Sequence, residues 1–279
     1  MRNLDGKVAV VTGAGSGIGR ALALDLARHG CTVAACDLNK VSAADTAAAI
    51  AAEGHAATVH QVDVSDESAM RRLVDDVLAA HTAVDVVVNN AGIASVPQST
   101  AEMPMATFRT VLDINLWGTV YGSSLFLPHL LTRPEANLVN VASYAGLLGL
   151  PSMSAYSTSK FGVRGFTEAL RMELAGGPVA VTLVCPGVTK TSLGSNSPLA
   201  EEGKRQVMQR GLDTSIGALS PEAVARSIRK AILRDRSRVL TGVDAKLVDT
   251  LVRVAPAGYS RLIHRGMKHL MAKTLGHAG

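Results

Sequence analysis

Lys7-Val-Ala-Val-Val-Thr12-Gly13-Ala-Gly-Ser16-Gly17-Ile18-Gly19 is the stretch whose reading decides the fold. The run from Lys7 to Thr12 is short, apolar and β-branched, the composition of a strand buried on both faces. Glycines follow at positions 13, 17 and 19, and a helical pattern runs from Arg20 to His29. Glycines between a strand and a helix permit a tight turn and let backbone N–H groups approach a pyrophosphate, while the helix N-terminus adds partial positive charge. A second strand-like run, Cys31 to Cys36, ends in Asp37, eighteen residues beyond Gly19. A carboxylate at about that spacing binds the ribose hydroxyls of a dinucleotide.

Working outward, strand-like runs recur near 56–62, 84–88, 137–142, 178–184 and 237–240. Helical patterns lie between them, including one long helix expected from about Met105 through Leu131. The alternation predicts a single-domain α/β Rossmann fold, a doubly wound parallel sheet of about seven strands flanked by helices. Ligands of such sheets bind beyond the carboxyl ends of the strands. Gly13 to Gly19, Asp37, Asp63, Asn89, Ser143 and Pro186 all fall just after expected strands, so they converge on one edge.

Chemistry is carried by Ser143, by Tyr156 thirteen residues on, and by Lys160 four beyond that. Positions i and i+4 of a helix share a face, so the tips of Tyr156 and Lys160 can aim at one point. A phenol is a poor base at neutral pH unless a cation stabilises its phenolate, and Lys160 is placed to depress the Tyr156 pKa by its charge. The Ser143 hydroxyl can hold the oxygen of a reacting alcohol or carbonyl. Taken alone, the tyrosine–lysine pair would read as a solvated helix face. The glycine turn and Asp37 change its weight.

Together these residues resemble the short-chain dehydrogenase/reductase family over about residues 5 to 242. The family's Thr-Gly-x-x-x-Gly-x-Gly turn matches Thr12 to Gly19, and its Asn-Asn-Ala-Gly segment matches Asn89-Asn90-Ala91-Gly92. The resemblance assigns catalytic roles to Asn115, Ser143, Tyr156 and Lys160, with Asn115 holding a water that links Lys160 to solvent. Read by itself, Asn115 in Asp-Ile-Asn-Leu-Trp-Gly is a helix-kink or capping residue. The cofactor-binding set implied is Gly13, Ser16, Gly17, Ile18 and Gly19 in the turn, then Asp37 and Leu38. It continues with Asp63 and Val64 at the adenine, Asn90, Ala91 and Gly92, the Tyr156 and Lys160 pair, and Pro186, Gly187, Val188 and Thr191 beside the nicotinamide. The reaction implied is hydride transfer between a nicotinamide cofactor and a secondary alcohol or ketone, with Tyr156 moving the proton. Asp37 would repel a 2′-phosphate, and its neighbours supply no arginine, so NAD is expected, with NADP the alternative. An NADPH-dependent carbonyl reductase is the runner-up. A non-catalytic sensor would be expected to lose catalytic residues, and epimerases or dehydratases carry a different glycine spacing and a larger C-terminal domain. The family also implies a homo-dimer or homo-tetramer through helices near 105–131 and 153–175.

Composition agrees. A chain of 279 residues with 47% hydrophobic residues can bury one large core. Cys31, Cys36 and Cys185 lie in or beside apolar runs and show neither zinc-ligand nor disulfide spacing, so no metal is expected. The first strand leaves no room for a signal peptide, and no apolar stretch reaches about 18 residues, so a cytoplasmic protein is expected. Aromatic residues make up 3% of the chain, too few for the platforms of a nucleic-acid binder. The stretch Ala145 to Met153 is apolar and uncharged, which favours a lipophilic substrate of steroid, retinoid-like or fatty type.

Residues 1–242 are expected to form the catalytic domain and 243–279 a helical extension. The extension holds six cations against two acids, a net +4 of the chain's +5. Ser220-Pro221-Glu222 is a helix start, a further helical pattern opens at Asp244, and Pro256 interrupts it. From Tyr259 on, Leu262, Ile263, Met267, Leu270 and Met271 make an apolar stripe opposite basic residues. Docking on protein is the favoured reading of this basic tail, ahead of contact with a membrane surface.

Overall fold

The computed structural model describes residues 1–191 and 217–261, with positions 193, 206, 209, 210, 212 and 215 between them. Seven parallel strands form one sheet in the order β3-β2-β1-β4-β5-β6-β7. They are β1 (Val8–Thr12), β2 (Thr32–Asp37), β3 (Ala57–Gln61), β4 (Val86–Asn89), β5 (Ala136–Val141), β6 (Val179–Pro186) and β7 (Arg238–Thr241). Chain order reverses direction across the sheet at β1, whose two neighbours are β2 and β4. Crossovers on either side of that point cover opposite faces, and the loops above β1 and β4 part to leave a crevice.

Two apolar layers sandwich the sheet, as its nearly continuous β-branched strands require. On one face α1 (Gly17–Ala27) and α7 (Pro221–Ile232) pack through Leu22, Leu26, Ile228 and Ile232, all fully buried. On the other, α3 (Glu67–His81), α5 (Gly118–Leu130) and α6 (Ser154–Glu173) pack through Met70, Phe126 and Leu170. α2 (Lys40–Ala52) flanks the β2 end and starts at Asn39, whose side chain accepts from Val41 N and Ser42 N. The expected start of α7 is seen: the Ser220 side chain accepts from Ala223 N, with Pro221 in the first turn and Glu222 behind it. α8 (Val243–Val254) follows β7 directly and ends before Pro256. Leu262 to Gly279, which carry most of the expected amphipathic tail, lie outside the described residues.

The long helix expected from Met105 to Leu131 is not continuous. α4 (Met105–Leu112) passes into a π-helical segment, Asp113–Trp117, before α5 resumes at Gly118. A π-turn inserts one residue into the ladder and redirects the side chains within it. The Asn115 carbonyl accepts from Thr119 Oγ1 at 2.9 Å. Gly118 lets the helix press on Val64, where a β-carbon would sit 2.8 Å from Val64 Cγ2. No periodicity argument separates such a bulge from a regular helix, because the hydrophobic pattern on either side is the same.

Thr12 closes the seam between β1 and β4. Its hydroxyl donates to the Val88 carbonyl at 3.3 Å and accepts from Asn90 N at 3.0 Å and Ala91 N at 3.1 Å. Asn90 Nδ2 returns a bond to the Thr12 carbonyl at 2.9 Å. Next to it, Asn89 Nδ2 donates to Asn140 Oδ1 at 2.8 Å and Ser123 Oγ at 3.0 Å, and Asn140 Nδ2 donates to Thr167 Oγ1 at 3.1 Å. This buried ladder joins β4, β5, α5 and α6 beneath the crevice. Thr12→Val keeps the shape but strands two N–H groups, so it should lower the unfolding free energy by about 1–3 kcal/mol, read by urea denaturation at constant m-value.

Candidate functional site

A cavity of about 820 Å³ opens at the carboxyl edge of the sheet, over the crevice between β1 and β4. Its first wall is the turn after β1, where Gly13, Ser16, Gly17 and Ile18 face the cavity. Gly13 and Gly17 hold φ of +66° and +52°, a region L-residues enter at a cost. A β-carbon at Gly15 would sit 2.6 Å from Ser42 Cβ and 2.9 Å from Asp37 Oδ2. The turn is therefore a close-packed cradle leading into the N-terminus of α1, the shape and polarity a pyrophosphate requires.

Asp37, at the end of β2, also faces the cavity. Its Oδ2 accepts from Gly15 N at 2.8 Å and Oδ1 from Asn39 N at 2.9 Å, which fixes the carboxylate at the rim. Leu38 beside it is 62% exposed. Asp63 and Val64, after β3, complete this end, with Asp63 Oδ1 accepting from Ser65 N at 2.9 Å and Ser65 Oγ at 2.6 Å. Asn90, Ala91 and Gly92 form the floor after β4. Pro186, Gly187, Val188 and Thr191 form the wall after β6.

Ser143, Tyr156 and Lys160 meet at the inner end. Ser143 caps a short 3₁₀ turn, Tyr144–Gly146, and accepts from Ala145 N at 3.1 Å. Tyr156 and Lys160 lie on adjacent turns of α6, 8% and 4% exposed. Lys160 Nζ donates to the Val141 carbonyl at 3.0 Å and stands 5.9 Å from the centre of the Tyr156 ring. Ala94, Ala145, Leu150, Met153 and Leu193 pack around the Tyr156 ring as an apolar collar.

Two expected site residues do not reach the cavity wall. Gly19 lies in the first turn of α1, where a β-carbon would overlap the Gly13 carbonyl, so it brings the helix close to the strand. Asn115 is fully buried behind the wall. Its Oδ1 accepts from Ile93 N at 2.8 Å, while Nδ2 donates to the Ile93 carbonyl at 2.9 Å and to Ser159 Oγ at 3.0 Å. The π-turn thus aims this amide at the loop after β4 and clamps that loop as a neighbouring strand would.

The electrostatics at this inner end follow burial. Burial pushes the Tyr156 phenol up to about 12, against a hydrogen bond with Ser143 that pulls it down. Burial likewise brings Lys160 down to about 8. Both groups sit in the same poorly solvated end, where the charged form of each is penalised, and the neighbouring Tyr144 raises the Tyr156 phenol further. A residue that sequence reasoning did not single out also reaches the wall: Asp244, in the first turn of α8, accepts from Val188 N at 2.6 Å. Burial and then the Asp244 carboxylate raise the Tyr144 phenol. An acid in the first turn of a helix is common, so its sequence gave no signal of this contact.

Residues 7–202 match the short chain dehydrogenase family. The Mycobacterium tuberculosis protein SadH is 38% identical over 269 residues, 96% of this chain and 97% of its own. A cyclohexanol dehydrogenase of Acinetobacter sp. strain SE19 is 34% identical over 237 residues, 85% of this chain and 91% of its own. Among solved structures, a short chain dehydrogenase/reductase from Burkholderia phymatum in complex with NAD superposes with a TM-score of 0.85 at 32% identity, covering 91% of this chain and 95% of that one. The chain belongs to the short-chain dehydrogenase/reductase family. By class it is a nicotinamide-dependent oxidoreductase.

The buried Lys160 charge has a measurable cost. Its folded pKa, about 8, lies below the unfolded value of 10.5, so the unfolded state holds the extra proton between those values. Stability therefore rises with pH across that window as far as this group decides it. Lys160→Met should raise the unfolding free energy near pH 7 by about 1–3 kcal/mol, with the advantage shrinking from pH 8 to 10.5, as read by denaturation at both ends.

Proposed function

We propose that the protein interconverts a lipophilic secondary alcohol and its ketone, with NAD as the partner and Ser143, Tyr156 and Lys160 as catalytic residues. The observation that carries this reading is that those three side chains, the glycine cradle and Asp37 face one cavity. When bound, the dinucleotide supplies or accepts the hydride. This chain supplies the proton and the placement. Ser143 holds the substrate oxygen, and the Tyr156 phenol gives that oxygen a proton in reduction or takes one in oxidation. Lys160 stays charged below about pH 8 and favours the phenolate when the proton leaves. Asn115 holds the loop after β4 in place rather than touching the reacting atoms, and we assign it a positioning role.

Asp37 supports NAD over NADP. A 2′-phosphate beside this carboxylate would set like charges together, and Lys160, at the far end, is the only cation among the described lining residues. The substrate end supports an apolar molecule: Ala94, Pro97, Leu150, Met153, Leu193 and Leu212 line it. The relative named cyclohexanol dehydrogenase supports the same chemical class, a secondary alcohol without a charged group. The free thiols of Cys31, Cys36 and Cys185 fit a reducing, cytoplasmic setting, and among the described residues no helix is long and apolar enough to cross a membrane.

Trp117, at the end of the π-segment, stacked on Tyr121 of α5 and 47% exposed, and Phe161 of α6, 39% exposed, support contact between copies through this part of the surface. A homo-dimer or homo-tetramer is expected, and sedimentation as a monomer at micromolar concentration would remove that assignment.

Activity with a panel of alicyclic and long-chain secondary alcohols, followed at the reduced-nicotinamide absorbance, tests the reading. Tyr156→Phe should lower kcat by at least about 100-fold, with NAD affinity nearly intact. In the same assay Asp37→Ala should narrow or invert the preference for NAD over NADP. A tyrosine variant retaining more than about a tenth of wild-type kcat would take the proton transfer away from Tyr156.

A further inference from the structure

The segment after β7 reaches the back of the cavity wall through one carboxylate. Gly242 holds φ of +94°, a backbone conformation suited to glycine, and the chain turns there from β7 into α8. This turn brings Asp244 inward while Val243 and Leu247 on the same helix stay 72% and 65% exposed. Asp244 Oδ2 accepts from Val188 N at 2.6 Å, across 56 residues of sequence. Its Oδ1 lies against the α-carbons of Gly187 and Gly242, and a side chain at either glycine would overlap it. Gly187 N donates to the Thr241 carbonyl at 2.8 Å. The cavity wall at Gly187 and Val188 is therefore held from behind by residues 241–244. On its other side, Leu219 N donates to the Val188 carbonyl at 2.9 Å.

Alternative employment for the carboxylate is small. An acid in the first turn of a helix gains from the helix dipole wherever it points. Here the hydrogen bond leaves the helix altogether and ends on a cavity-lining peptide. A carboxylate accepting a backbone N–H makes a stronger bond than a neutral acceptor does. It fixes the orientation of the Gly187–Val188 peptide, which a glycine would otherwise leave free to rotate.

We infer that Asp244 is a positioning residue for the nicotinamide end of the dinucleotide site, so that the C-terminal segment completes the site through the Gly187–Val188 wall. This rests on the reading that the cavity takes a nicotinamide dinucleotide with its adenosine at Asp37. Asp244 touches neither cofactor nor substrate; it acts through Val188. Among the described residues, the adenosine end, built from the glycine cradle, Asp37 and Asp63, shares no hydrogen bond with it.

ADP-ribose has the adenosine and pyrophosphate of NAD but no nicotinamide, so comparing the two ligands by calorimetry on the full-length chain isolates one end of the site. Asp244→Ala should weaken NAD about tenfold and leave ADP-ribose within twofold. Asp244→Asn, which keeps a neutral oxygen acceptor for Val188 N, should weaken NAD by about threefold, again with ADP-ribose unchanged. Should the alanine variant fail to fold, the asparagine variant decides alone: a selective loss of NAD affinity supports the assignment. Equal losses for both ligands, or no loss for either, would overturn it and leave Asp244 a purely structural residue. Wild-type protein that binds neither ligand would overturn the dinucleotide reading, and this inference with it.

Discussion

The structure depends on the parting of two parallel strands, β1 and β4, at the point where the chain changes its direction of winding. Strands that turn away to opposite faces leave unpaired backbone at their carboxyl ends, and unpaired buried backbone is costly. Thr12 meets part of that demand with one hydroxyl shared among three backbone groups. The crevice stays open above it while the seam stays closed below. Most of the cavity wall is made by loops leaving the carboxyl ends of the strands, and α6 adds Tyr156 and Lys160, so the geometry of the site follows largely from the sheet's topology.

A second constraint comes from placing polar groups where solvent is scarce. Lys160, Asn115, Asn89 and Asn140 are all buried, and each has hydrogen-bond partners. The amides of Asn89 and Asn140 tie strands to helices under the site. The amide of Asn115 ties the loop after β4 to the helix below it. Lys160 differs, because its charge is penalised by the same burial that raises Tyr156. A folded chain retains such a pair at a loss of stability, as is common where proton transfer is performed. The amide network also reaches α6, the helix that carries both ionisable groups, at Ser159 and Thr167.

The C-terminal segment belongs to the same construction. α8 buries Ala245 and packs on β7 and on the turn that carries Ser143 and Tyr144. The family model matches residues 7–202, yet the described chain beyond it supplies the last strand, the helix α7 that packs on α1, β6 and β7, and the carboxylate behind Val188. Sheet, cover and cavity wall are thus completed by residues far from the motifs that identify the family.

Much of this was legible in the sequence, for a physical reason. Strand–glycine–helix order, the apolar runs and the i, i+4 spacing of Tyr156 and Lys160 are local, and local stereochemistry follows from local residues. The parallel sheet, the edge at which the site lies, the buried thiols and the cap of α7 follow from them. Tertiary structure decided what depends on neighbours remote in sequence. It placed Gly19 and Asn115 behind the wall, turned one expected helix into two joined by a π-segment, and brought Asp244 to Val188. It also decided the direction in which Tyr156 and Lys160 shift, because burial, which raises the one and lowers the other, is a property of the whole fold.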